Sequence, residues 1–168
     1  MGSILVLIGI IKNMLNMKSY LKRTVTVLFL FSTISSVVQA QGDLSKQQAI
    51  DLFIDLGNSE GALKFFPNSL EFETGKLYRL TINNPSPQKH YFSSDQFSRA
   101  IYTRKVQINR ADGSPMVEVK GAVREIEVYP GSSAEWWFVA VKTGAFRDLK
   151  CTIKGHAEAG MVGHVSIH

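Results

Sequence analysis

The sequence predicts an all-β sandwich of about seven to nine short strands. Three observations lead there. Apolar and polar residues alternate in short runs. Gly, Pro, Asn and Asp punctuate those runs at close intervals. Aromatic and β-branched residues fill the runs, as in Trp136-Trp137-Phe138-Val139.

The elements follow in order. Ile50, Leu52, Ile54 and Leu56 alternate with Asp51, Phe53 and Asp55, which is strand spacing. Ser45 with Gln48 resembles a helix capping box, but the strict alternation and the Gly57-Asn58 turn favour a strand. Short strands are expected over Ala62–Phe66 and Ser69–Phe72, on either side of Pro67-Asn68. Leu77–Ile82 follows, with Tyr78, Leu80 and Ile82 on one face. Asn83-Asn84-Pro85-Ser86-Pro87 reads as a loop, because proline removes ladder donors. It leads into His90. Between Ser94 and Tyr102 the alternation lapses, and Phe97 with Ile101, four apart, predicts a short helix. Strands are expected again over Arg104–Ile108, Met116–Val119, Val123–Tyr129, Ala134–Val141, Leu149–Ile153 and Met161–Ile167. Trp136 and Trp137 point to opposite faces, so at most one belongs to the core.

The first forty residues read as an export signal. Lys18, Lys22 and Arg23 form a basic region, Val25–Ile34 is a short apolar core, and Val38-Gln39-Ala40 is a small-residue cleavage pattern. Counted from Met17 the signal has ordinary length, so translation is expected to start there. The apolar core is shorter than the roughly 20 residues of a spanning helix, which favours cleavage over anchoring. Residues 1–40 are therefore assigned to the signal and 41–168 to one domain, exported to the periplasm or secreted. No cysteine stands at the cleavage point, which argues against a lipid anchor. Lys12, Lys18, Lys22 and Arg23 all lie in the leader, which carries no acid. The rest of the chain stands near +1, with 15 basic residues against 14 acidic. That balance gives no electrostatic case for nucleic acid or membrane binding.

The cysteine arithmetic is more telling. Cys151 is the only cysteine in the chain. An exported lone thiol is a buried inert residue, half of an intermolecular bridge, or a metal ligand. Its neighbours favour the third. Cys151, His156 and Met161 recur at five-residue intervals in one Gly-rich loop. Thiolate, imidazole and thioether are three of the four donors of a site that suits both Cu(I) and Cu(II). The fourth would be a second imidazole, and His90 is the candidate. Gly155 and Gly160 allow the backbone to curl around an ion. His90, from a distant strand end, would tie the two sheets together. Each residue alone has a plainer reading: a buried small hydrophobe for Cys151, a loop-end residue for His90, ordinary core for Met161. Glu158 could compete for the axial position. His164 and His168 share one face of the last strand and read as exposed histidines. Lys150 and Lys154 beside the loop read as charged surface.

The sequence resembles the cupredoxins, the plastocyanin–azurin–pseudoazurin group of blue copper proteins. The resemblance rests on Cys151-x4-His156-x4-Met161, on the Gly-Met-Val-Gly-His-Val ending, on the Gly144-Ala145-Phe146 approach, and on an upstream His90-Tyr91-Phe92. It spans roughly Ile50 to His168. It implies a Greek-key sandwich holding one copper ion. Cys151 would be the thiolate ligand, His90 and His156 the imidazole ligands, and Met161 the axial ligand. His156, on the exposed loop, would be the port for electrons. The family often has Asn directly after the first His, where its side chain braces the ligand loops; here that residue is Tyr91. The stretch from Ser93 to Val119 is long and is expected to cover the site.

The resemblance implies a monomeric one-electron carrier that serves a redox protein partner, a cytochrome or an oxidoreductase. The alternative is a copper-binding protein for storage, delivery or resistance without redox turnover. An enzyme is not expected. Multicopper oxidases and copper nitrite reductases need further His-rich sites, and this chain has only four His.

Overall fold

The computed structural model describes residues 42–168. The export signal expected over 1–40 lies outside the described residues. Asp43 caps a 3-10 turn at Leu44–Lys46, its side chain accepting the Ser45 backbone N–H. Eleven strands follow among the described residues, two more than the upper expectation.

The strands are β1 (Ile50–Leu56), β2 (Phe65–Phe66), β3 (Ser69–Phe72), β4 (Leu77–Asn83), β5 (His90–Ser93), β6 (Ile101–Asn109), β7 (Pro115–Val119), β8 (Glu125–Val128), β9 (Ser133–Ala140), β10 (Gly144–Lys150) and β11 (Val162–Ile167). One short helix, α1 (Asp95–Ser98), follows β5. The strands form two mixed sheets. One runs β2-β1-β4-β9-β6-β7, the other β3-β11-β10-β5-β8. β1 lies parallel to β4, and β3 parallel to β11, so each sheet mixes directions.

The alternation read from the sequence becomes the two faces of the sheets. Leu77, Tyr78, Leu80 and Ile82 of β4 are buried, and Trp136 and Phe138 of β9 are wholly so. Trp137 points the other way, towards Arg79, Arg104 and Lys105 on the outer face. Aromatic rings join the two sheets. Phe72 of β3 meets Phe138 of β9 at 5.2 Å, and Phe92 of β5 meets Trp136 of β9 at 6.1 Å. Edge-to-face pairs of this kind add to the burial itself.

Four expectations change. The strand expected over Leu149–Ile153 runs instead from Gly144 to Lys150 and stops one residue before Cys151. A bulge between Phe146 and Leu149 breaks its alternation, which hid it in the sequence. His90 opens a strand rather than ending a loop. Ile101 does not share a helical face with Phe97; it opens β6, because pairing with β9 at Ala140 takes it into the sheet. The stretch from Ser93 to Val119 builds α1 and the β6–β7 hairpin, the outer edge of the six-stranded sheet, rather than a cover over the site.

Candidate metal centre

Three donors converge at one end of the sandwich. β5 begins at His90, whose backbone pairs in register with Val128 of β8. β10 ends at Lys150 and delivers Cys151 immediately after it. The loop from Cys151 to Met161 is closed at its neck, where the Cys151 backbone N–H donates to the Met161 carbonyl at 3.1 Å. Inside the loop His156 is fixed twice along its backbone: its N–H donates to the Ile153 carbonyl at 3.0 Å, and its carbonyl accepts from Met161 at 2.9 Å. Gly155 (φ 87°) and Gly160 (φ 105°) make the two left-handed bends this path needs.

The ligand atoms of His90, Cys151 and His156 all lie within 4.8 Å of one another. Cys151 Sγ is 3.5 Å from His156 Nδ1 and 3.9 Å from His90 Nδ1. Around an ion at ordinary metal–ligand lengths, in a trigonal plane, sulfur and nitrogen would stand about 3.8 Å apart. The spacing therefore fits a metal ion between them. The donor types, two imidazoles and a thiolate, suit copper in both oxidation states. The two imidazole rings are tilted at 56° with centroids 5.1 Å apart, so they do not stack and both can face one centre.

Burial sorts the remaining candidates. His90, Cys151 and Met161 are 0% exposed and His156 is 8% exposed. Met161 thus lies at the buried base of the loop, while Glu158 is exposed and outside the buried donor set. His164 on β11 and His168 just after it are exposed, as read from the sequence. Burial holds the His90 pKa below the ordinary imidazole value, with repulsion from His156 adding to it. A neutral imidazole is the form that ligates.

All of these donors hang from one sheet. His90 sits on β5 and Cys151 follows β10, and the two strands are neighbours in the five-stranded sheet. A metal held there would tie two adjacent strands, not the two sheets. The other sheet contributes instead through Gly57, just beyond β1, which packs against the outer edge of the His90 ring.

The brace expected from an Asn after the first His is supplied differently. The backbone N–H of Tyr91 donates to Cys151 Sγ at 3.4 Å, which any residue could do. The phenol of Tyr91 turns to Glu127, whose hydrogen bond and charge raise its pKa. The buried asparagine is Asn84, in the loop before His90. Its side chain donates to the carbonyls of Gln88 (2.8 Å) and Val128 (2.7 Å) and accepts the Ser86 backbone N–H at 2.9 Å. The sequence marked this loop only as a turn. Two adjacent asparagines before a Pro-x-Pro were the sole signal that one was structural.

No protein-family model matches the sequence, and neither does any curated protein. Solved structures do show similarity. Dithionite-reduced auracyanin from Roseiflexus castenholzii is 17% identical with a TM-score of 0.45, over 72% of this chain and 99% of its own. Auracyanin A, described as a "blue" copper protein from Chloroflexus aurantiacus, is 14% identical with a TM-score of 0.45, over 72% of this chain and 100% of its own. The Cu-containing nitrite reductase from Thermus scotoductus SA-01 is 16% identical with a TM-score of 0.51, over 73% of this chain and 34% of its own. The two-sheet architecture and the last of these likenesses agree on the fold: this chain is a cupredoxin-like β-sandwich.

Proposed function

We propose that the protein is an exported one-electron carrier, holding one copper ion between His90, Cys151, His156 and Met161 and passing electrons to a redox protein partner. The observation that supports it most is the convergence of the ligand atoms of His90, Cys151 and His156 within 4.8 Å of one another, all three residues buried. Copper supplies the one-electron couple when bound. The chain supplies the rest. Cys151 would give the thiolate, His90 and His156 the two imidazoles, and Met161 a thioether that would help set the potential. The Tyr91 N–H stabilises negative charge on the sulfur. Loop hydrogen bonds hold His156 in place through the cycle. His156 keeps 8% of its surface in solvent and His90 none, so electrons enter and leave at His156. Among the described residues no helix is long and apolar enough to cross a membrane. We assign the protein to the periplasm or the exterior, as a monomer with no catalytic site of its own.

The test is the visible spectrum after one equivalent of Cu(II), with Cys151→Ser beside the wild type. An intense thiolate-to-copper band in the wild type, missing in the variant and bleached reversibly by reductant, is expected. A protein that binds copper yet shows no reversible couple belongs to copper storage or delivery instead. Equal colour with and without Cys151 would end the reading.

A further inference from the structure

A second layer of order lies under His90. Asn84 is 0% exposed and Ser86 2% exposed. Asn84 holds the Ser86 backbone, and Ser86 Oγ accepts the Gln88 backbone N–H at 3.2 Å. The same oxygen lies 3.0 Å from His90 Nε2. Gly57 closes the other side. A Cβ there would stand 3.0 Å from the Ser86 Cβ and 3.2 Å from His90 Nε2. The outer nitrogen of His90 therefore meets one fixed hydroxyl in a space with no room to turn away from it.

An imidazole has two nitrogens, and the partner of one decides what the other can do. His90 Nδ1 faces Cys151 Sγ. To ligate, Nδ1 must be bare, so Nε2 must carry the proton. Ser86 Oγ has two lone pairs. The Gln88 N–H takes one, and the other can accept from Nε2–H at 3.0 Å, the role the hydroxyl takes when Nδ1 is bare. We propose that Ser86 is a positioning residue for His90: its hydroxyl, set by Asn84 and Gln88, keeps the ring in the Nε2–H tautomer with Nδ1 aimed at Cys151 before any metal arrives. The role rests on His90 being a copper ligand, as proposed above. It makes His90 the pre-set anchor of the pair. His156 has no side-chain hydroxyl or carboxylate on its ring among the described residues.

The first arm of the test needs no metal. Long-range proton–nitrogen correlation spectra of the apo-protein read the tautomer of each histidine. Wild type is expected to show His90 as the Nε2–H form. Ser86→Ala is expected to lose that single form while the His156 signals stay unchanged, the internal sign of an intact fold. Ser86→Thr, which keeps the hydroxyl, is expected to restore it. In the second arm Cu(I) alone is titrated against a competing chelator, and Ser86→Ala is expected to bind about 10–100-fold more weakly. A wild-type His90 in the Nδ1–H form, or a tautomer unmoved in Ser86→Ala, would overturn the assignment. Copper that fails to bind the wild type would sink the carrier reading, while the tautomer arm would still decide the role of Ser86.

Discussion

At the scale of single residues, Gly57 shows how a turn becomes part of a site. Its φ of 83° is a left-handed conformation that costs an L-residue about 1–2 kcal/mol. A Cβ would also press on the Ala62 carbonyl, the Ser86 Cβ and the His90 ring, at 3.0, 3.0 and 3.2 Å. Gly57→Ala is therefore expected to lower stability by about that cost, read by urea unfolding, and also to weaken copper binding by displacing His90. A variant that lost stability and kept wild-type copper affinity would show that the contact with the ring is immaterial. Gly57 was legible as a turn residue, because Gly57-Asn58 closes an alternating run. Its contact with His90 was not legible, because 33 positions separate the two residues. Ser86 and Asn84 lie only four and six positions before His90, yet a Ser and an Asn in a Pro-rich turn give no sign of which ring they will meet. Cys151, His156 and Met161 announced themselves because their side chains share one short loop. His90 did so because its donor type completes the set. Supporting residues carry no such chemical signature; their work is defined by what tertiary structure places beside them.

At the scale of elements, the strands with clean alternation were readable and the interrupted ones were not. β4 and β9 bury every second residue over most of their length, and β1 does so at its second half, through Ile54 and Leu56. β10 is bulged, and β5 has only four residues, so neither offered a long enough period. The short helix α1 was foreseen, and its role explains its persistence despite its length. Ser94 caps it by accepting the Phe97 N–H, and Ser94 Oγ donates to Asp148 of β10 at 2.6 Å. The helix thereby fastens the exit of β5 to β10, the two strands that carry His90 and Cys151. It also drives Phe97 into the centre of the core. Phe97 stacks on Phe72 at 5.5 Å and meets Phe92, Trp136 and Phe138 edge-on at 6.4, 5.7 and 5.3 Å. An isolated helix this short would not form in water, so the burial of Phe97 is what keeps it. Phe97→Ala is expected to cost about 3–5 kcal/mol, measured as a lowered midpoint in denaturant. The loss should appear as faster exchange of amides in β5 and α1 before the rest of the sheet. A cost below about 1 kcal/mol would mean the helix is only a connector.

For the whole molecule, the placement of the donors predicts how metal and fold are linked. The ligand loop is held by backbone hydrogen bonds from Cys151 to Met161, and His90 is braced by a buried network, so the unfolded chain has nothing equivalent. Copper then binds the native state in strong preference, and the fold gains free energy by mass action. At a free ion concentration a thousandfold above Kd the gain is about 4 kcal/mol. For a domain of this size that raises Tm on the order of 10 °C. Calorimetry with and without one equivalent of copper measures the shift, and a chelator should reverse it. Cys151→Ser removes the thiolate but leaves the fold's surface unchanged, so it separates the buried cluster from the exposed His164 and His168. No gain in the variant assigns the stabilisation to the cluster of His90, Cys151 and His156. An equal gain would place the ion at His164 and His168 instead, on a face that has no part in the electron path.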